Sequence, residues 1–258
     1  MLTVGLDVGA ESIKAVVLGD SGIAGYAVLE GQFELRKTCE EALSLALGRA
    51  NASASDVSGL LSTGVGNKEA GYGDRAVTEV VADARGAVWL CPGARTAIDV
   101  GSEQARAIRC DGTGKVVSYG KNDKCAAGVG AFVEAMARAL EIRIEDVGKL
   151  SLQSDRDISL DSNCVVFAET EVVSLIHART SKADITRAIG DSIARRISSM
   201  VHRLGVEEQV IFFGGVAKNI GVVERLKHHL GKSIVVPEEP QIVTALGAAL
   251  IARDQKGT

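Results

Sequence analysis

The stretch GLDVGAESIKA at residues 5–15 returns as AIDVGSEQARA at residues 97–107. Laying Asp7 on Asp99 matches Asp-Val-Gly, then a Glu, then a basic residue followed by Ala, all at a single offset. Each copy sits between apolar, β-branched runs, so each reads as a strand, a tight turn and a returning strand. A chain that writes this unit twice is expected to build two similar halves, and 258 residues suffice for two medium domains.

The pattern around the repeat supports an α/β chain. LTVGL, SIKAVVLG and IAGYAVL form an expected β-meander, followed by a helix at CEEALSLALGRA, a strand at VSGLLSTG and a helix at AVTEVVADARGAVWL. After CPGA the scheme restarts with RTAID, QARAIRC, a DGTG turn and KVVSYG. AGVGAFVEAMARAL then places Phe132, Met136 and Leu140 on one helical face. VVFAETEVVSLIHA is a further helix, and the next opens after Asp184, suited as its cap, and ends at Gly205. QVIFFGG is a buried strand running into two glycines; a helix, a short strand at SIVVP and a last helix close the chain. The expected division is 1–92, 93–240 and a closing C-terminal helix at 241–258.

Composition narrows the function classes. A net charge of −4 provides no basic field for nucleic acid, and no apolar run approaches the roughly 20 residues of a membrane helix. The N-terminus runs straight into a strand pattern instead of a secretory leader, so a cytoplasmic location is expected. The cysteines Cys39, Cys91, Cys110, Cys125 and Cys164 are an odd set without dense spacing, expected as reduced thiols. The four histidines form no catalytic pattern; His228 and His229 sit near a helix C-terminus, where the dipole favours positive charge.

Asp followed by Gly at such a turn has a specific use. Glycine lets backbone N–H groups approach phosphate oxygens, and the carboxylate holds a magnesium ion through water. Asp7 with Gly9, Ser12 and Lys14, and Asp99 with Gly101 and Ser102, are therefore two candidate halves of a polyphosphate clamp. Lys14 is either a phosphate ligand or a solvated strand residue. The strand VIFFGG ends in Gly214 and Gly215, where base and ribose can lie against bare backbone, and Val216 and Ala217 follow as further binding candidates.

Cys125 and Cys164 each lie just before a helix pattern. The helix dipole and unpaired N–H groups there favour the thiolate, a good metal ligand. Their spacing matches no zinc pattern and no His completes one. A [4Fe–4S] cluster commonly takes four thiolates, which a two-fold pair of chains supplies, although redox-inert packing fits the same positions.

Taken together, the two Asp-Val-Gly turns and GGVAKN resemble the phosphate 1, phosphate 2 and adenosine motifs of the actin, sugar kinase and heat-shock ATPase superfamily. With NDKCAAGVGAF and SNCVVFAETEV added, the whole chain resembles the ATPase activators of 2-hydroxyacyl-CoA dehydratases and the related ATPase subunits of benzoyl-CoA reductase, the BadF/BadG/BcrA/BcrD type. That resemblance implies an actin-like α/β fold of duplicated ribonuclease H-like domains with nucleotide in the cleft between them. It implies ATP and Mg2+ as ligands, catalytic Asp7 and Asp99, and a [4Fe–4S] cluster on Cys125 and Cys164 that bridges two subunits. It also implies anaerobic electron transfer, driven by ATP hydrolysis, to an iron–sulfur dehydratase or reductase component, with ferredoxin or flavodoxin as donor. The pair of subunits is a homodimer or a heterodimer with a similar subunit. In the family, the helix carrying Glu79 borders the nucleotide cleft. Activators usually read Asp-Ile-Gly-Gly-Gln at the second phosphate motif, whereas this chain has Ser102, Glu103 and Gln104 after Gly101, and ARGAVWLCPGARTAIDVG looks nearer to the reductase subunits. Two alternatives from other classes are a small-molecule kinase resembling type III pantothenate kinases and an actin-like scaffold. A kinase has no use for two cysteines heading helices.

Overall fold

The computed structural model describes residues 1–122, 130–160 and 165–256. The first apolar runs form β1 (Leu2–Val8), β2 (Ser12–Gly19) and β3 (Gly22–Glu30), followed by α1 (Leu35–Arg49), β4 (Val57–Thr63) and α2 (Glu79–Leu90). Their sheet has the order β3-β2-β1-β4, with β1 antiparallel to β2 and parallel to β4. Because side chains alternate across a strand, β1 and β2 bury both faces. Val4, Leu6, Ile13 and Ala15 meet Cys39 and Ala42 of α1, while Val16 and Leu18 meet the last helix, α8 (Val243–Asp254). Thr3 donates its hydroxyl to the Ala249 carbonyl of α8 at 3.0 Å. Beside it, any side chain on Gly5 would collide with the α8 backbone at Ala245, so glycine is what lets the helix lie directly on the strand.

The second set comprises β5 (Thr96–Val100), β6 (Ala105–Cys110), β7 (Val116–Asn122), α3 (Gly130–Ala139), α4 (Ile144–Ser151), α5 (Val165–His177), α6 (Lys182–Leu204), β8 (Val210–Phe213), α7 (Ile220–Leu230) and β9 (Ile234–Val235). The sheet order is β7-β6-β5-β8-β9, so the β3-β2-β1-β4 arrangement of the first sheet recurs and gains one strand. Phe132, Met136 and Leu140 are all buried in a core shared with Ile189 and Ile193 of α6 and Phe212 of β8. A fully buried side chain of this size contributes about 1.5–3 kcal/mol of transfer free energy.

The chain divides into two compact units. One holds Met1–Ala97, Cys110–Val117 and the segment from Pro237; the other holds Ile98–Arg109 and Ser118–Val236. The C-terminal helix therefore belongs with the first half of the sequence. One sequence expectation needs correction: α6 is capped by Ser181 and not by Asp184, for the Ser181 hydroxyl accepts from the Asp184 N–H at 3.1 Å. The cap needs extended backbone, which Ser181 adopts, and Asp184 already lies in the first turn, where its charge suits the dipole.

Candidate functional site

In the first unit β1 delivers Asp7 to its C-terminal end, and the Gly9 N–H donates to the Ser12 carbonyl at 3.0 Å, closing a short turn. That closure fixes the hairpin register and sets Asp7 opposite Lys14. Lys14 Nζ lies 3.2 Å from Asp7 Oδ2 and 3.2 Å from the Ser12 carbonyl oxygen. The pair is largely buried, with side chains 13% and 9% exposed, so water screens it weakly. Lys14 thus serves the turn itself as well as any ligand the turn holds. Gly9 and Ser12 are half-buried beside it.

The second unit repeats the arrangement. The Gly101 N–H donates to the Gln104 carbonyl at 2.9 Å, and Arg106 pairs with Asp99, both side chains 7% exposed. The Arg fork also reaches Gln104, whose Oε1 accepts from Nη1 at 3.3 Å. The displaced Gln is therefore held by the basic residue that neutralises Asp99. Ser102 is half-buried and Glu103 exposed. Helix α3 is anchored on this turn: Gly130 N–H donates to the Gly101 carbonyl at 2.8 Å and Ala131 N–H to that of Ser102 at 2.9 Å.

A glycine stands over each Asp-Val pair. At the end of β8, Gly214 has φ +87, and a Cβ there would collide with Asp99 Oδ1 and the Val100 carbonyl. At the end of β4, Gly64 has φ +94, and a Cβ would strike the Val8 carbonyl and come within 2.7 Å of Asp7 Oδ1. After Gly214 the chain turns through Gly215, which is exposed, and the buried Val216 and Ala217. Asn219 then caps α7 by accepting from Gly221 and Val222 N–H at 3.1 and 3.2 Å.

The structure thus gathers Asp7, Gly9, Ser12 and Lys14 in one unit, and Asp99, Gly101, Ser102, Gly214, Gly215, Val216 and Ala217 in the other. Cys125 and Cys164 lie outside the described residues. Glu79 is the first residue of α2, where its charge complements the dipole. Sequence reasoning matched Arg106 to Lys14 in the repeat and named Gln104 at the second motif without assigning either to the site, and it missed Gly64. The signal was present: a basic residue follows each Asp at the same spacing, and a glycine ends β4 as one ends β8.

Among the described residues, no group of three or more His, Cys, Asp or Glu side chains is arranged to hold a metal ion. Cys39, Cys91 and Cys110 are buried. Burial pushes the Cys39 thiol up to about 11, with a smaller push from Glu40, so it stays protonated at neutral pH. No helix among these residues is long and apolar enough to cross a membrane.

Two units that repeat one sheet order, each with an Asp at a glycine turn, place the chain in the actin-like class of α/β folds. Within that class, the chain belongs to the BadF/BadG/BcrA/BcrD ATPase family, whose profile matches residues 4–252. It is 35% identical to the 2-hydroxyisocaproyl-CoA dehydratase activator of Clostridioides difficile, over 99% of this chain and 96% of that one. It is 38% identical to the activator of lactoyl-CoA dehydratase of Anaerotignum propionicum, over 98% and 97%. It is also 33% identical to a benzoyl-CoA reductase subunit of Thauera aromatica, over 96% and 92%. The solved activator of the 2-hydroxyisocaproyl-CoA dehydratase from Clostridium difficile, with bound ADPNP, superposes with a TM-score of 0.92 at 33% identity, covering 100% of this chain and 98% of that one.

Proposed function

We propose that the protein is an ATP-dependent electron activator that hydrolyses ATP and passes single low-potential electrons to an iron–sulfur partner acting on an acyl-CoA. What carries this reading is the pair Cys125 and Cys164 in a chain similar over nearly its whole length to dehydratase activators. A [4Fe–4S] cluster takes four thiolates. Cys39 is unfit, because its thiol is held protonated in an apolar core. Cys125 and Cys164 fit as the donors, two per chain and four per pair of chains. When bound, such a cluster supplies a one-electron couple.

The chain's own residues act on the nucleotide. N–H groups of each turn other than those of Gly9 and Gly101, which already close the turns, bind phosphate oxygens, and Gly214 and Gly215 give the bare backbone on which adenosine lies, with Val216 and Ala217 after them. Asp7 and Asp99, each already paired with a cation, suit holding the waters around Mg2+ better than direct ligation. They also orient the water that attacks the γ-phosphorus as the bridging oxygen leaves with ADP. Ferredoxin or flavodoxin is the donor, and the second subunit is a copy or a similar ATPase. The acceptor is a 2-hydroxyacyl-CoA dehydratase or a benzoyl-CoA reductase-type component.

The test is iron, sulfide and mass on protein prepared without oxygen. About four irons per pair of chains are expected in brown wild-type protein, with severe loss in Cys125→Ser and in Cys164→Ser. Four irons in a single chain, or full iron content in both variants, would overturn the reading.

A further inference from the structure

A cavity of about 130 Å³ opens in the second unit between α6, α7 and the segment that precedes Cys164. Four arginines, Arg156, Arg187, Arg195 and Arg225, and two aspartates, Asp157 and Asp191, line it; Asp184, which pairs with Arg156, brings the carboxylates to three, so the guanidinium groups exceed them by one. Asp191 is already shared by several cations. It accepts from Arg195 Nη2 at 2.8 Å and from Arg225 Nε at 2.7 Å, and His229 Nε2 stands 2.8 Å away. Arg187 donates to the Ser154 carbonyl at 3.0 Å and to Asp157 at 3.2 Å, while its buried Nε has no acceptor among the described residues. Arg156 reaches Asp184 at 3.4 Å with its side chain 68% exposed.

A structural ion network normally matches its charges. Here guanidinium groups outnumber the carboxylates by one, and the buried Arg187 Nε has no acceptor among the described residues, although Arg187 and Arg225 are only 22% and 16% exposed. Leaving a buried donor unmet is costly, and a positive excess behind low-dielectric walls is an anion's potential well. We propose that this cavity binds a phosphate group. Guanidinium forks match phosphate oxygens, and a phosphate offers at least three acceptor oxygens to forks that come from α6, α7 and the 156–159 segment, where a carboxylate offers two. The cavity is smaller than the ~300 Å³ lower end of ordinary ligand pockets, so it admits the phosphate and not the body of a nucleotide. Inorganic phosphate and the phosphate of a small monoester share this chemistry. The site shares no residue with the nucleotide turns and does not depend on the electron-activator reading.

The experiment is calorimetric titration of the full-length protein, saturated with ADPNP and magnesium so that the nucleotide turns are occupied. Inorganic phosphate, methyl phosphate and acetate are titrated into wild type, Arg187→Gln and Arg156→Ala. One saturable phosphate per chain is expected, weakened at least ~10-fold in both variants, with acetate at least ~10-fold weaker than phosphate. Methyl phosphate binding as tightly as inorganic phosphate supports a monoester as ligand, and a clear preference for inorganic phosphate supports the free ion. Arg156 is exposed, so its variant decides the matter if Arg187→Gln fails to fold. No saturable phosphate heat, unchanged affinity in Arg156→Ala, or acetate binding equal to phosphate would each overturn the proposal.

Discussion

Lys14 and Arg106 hold the same place in the two halves, one strand across from an Asp, but their chemistry differs. Lys14 is a point charge shared between Asp7 and a carbonyl; Arg106 is a fork that holds Asp99 and Gln104 together. Removing one member of such a buried pair strands the other, a cost of about 3–5 kcal/mol. Asp99→Asn is therefore expected to lose both stability and turnover, and Asp99→Asn with Arg106→Gln to regain most of the stability alone. ATP turnover in the double variant should stay at least ~10-fold down, because the charge proposed to orient the attacking water is still missing. Turnover that returns along with the melting temperature would make Asp99 structural only. Asp191 gives a pH prediction. Burial opposes its ionisation, but hydrogen bonds from Arg195, His229 and Arg225 prevail and hold it at about 2, against 3.8 for an ordinary Asp. The unfolded chain then binds a proton first on acidification. This contribution, about 2 kcal/mol at neutral pH, is fully present above pH 3.8 and is lost as pH falls towards 2. Urea midpoints from pH 6 to pH 2 should fall less steeply in Asp191→Asn than in wild type; parallel curves would refute it. Both Asp residues and both basic partners stood out in the sequence, yet their pairing did not, since it depends on the register that the Gly9 and Gly101 N–H bonds impose.

Strands β1 to β9 were legible, most of them because β-branched or apolar runs bounded by turn residues leave few alternatives, and β5 and β6 because they repeat β1 and β2. Helix α4 was not, for its eight residues offer barely two turns of periodicity and gain their stability by packing on α6 and α7. Caps were half legible. Ser181 and Asp184 both suit a helix start, and only backbone conformation decides between them. At α7 the assignment is unambiguous: Asn219 meets two N–H groups with one side-chain oxygen. Asn219→Ala should lower the unfolding free energy by about 1 kcal/mol, with Asn219→Ser recovering most of it. Because the cap also ends the Gly215–Lys218 turn, nucleotide affinity is expected to fall modestly in the same variant. Denaturant melts with and without ADP measure both effects, and an unchanged midpoint in Asn219→Ala would show that the cap contributes nothing.

At the scale of the whole molecule, the duplication was visible in the repeated Asp-Val-Gly, but the destination of α8 was not. The bond from Thr3 to Ala249 spans nearly the full chain, and no local pattern announces that the last helix lies on the first strand. The same holds for the link between the second turn and α3. Nothing in residues 99–106 marks the Gly101 and Ser102 carbonyls as the acceptors for the first N–H groups of the helix that follows Cys125. That link has a dynamic consequence. A phosphate held by the turn fixes Gly101 and Ser102, so the start of α3 opens less often, and local opening sets amide exchange. Backbone hydrogen exchange at Gly130 and Ala131 is therefore expected to slow at least ~10-fold when ADP and magnesium bind, while the α6 amides change little. Exchange followed by mass spectrometry resolves the two helices. If residues 130–131 exchange at the same rate with and without nucleotide, the turn does not report its occupancy to α3.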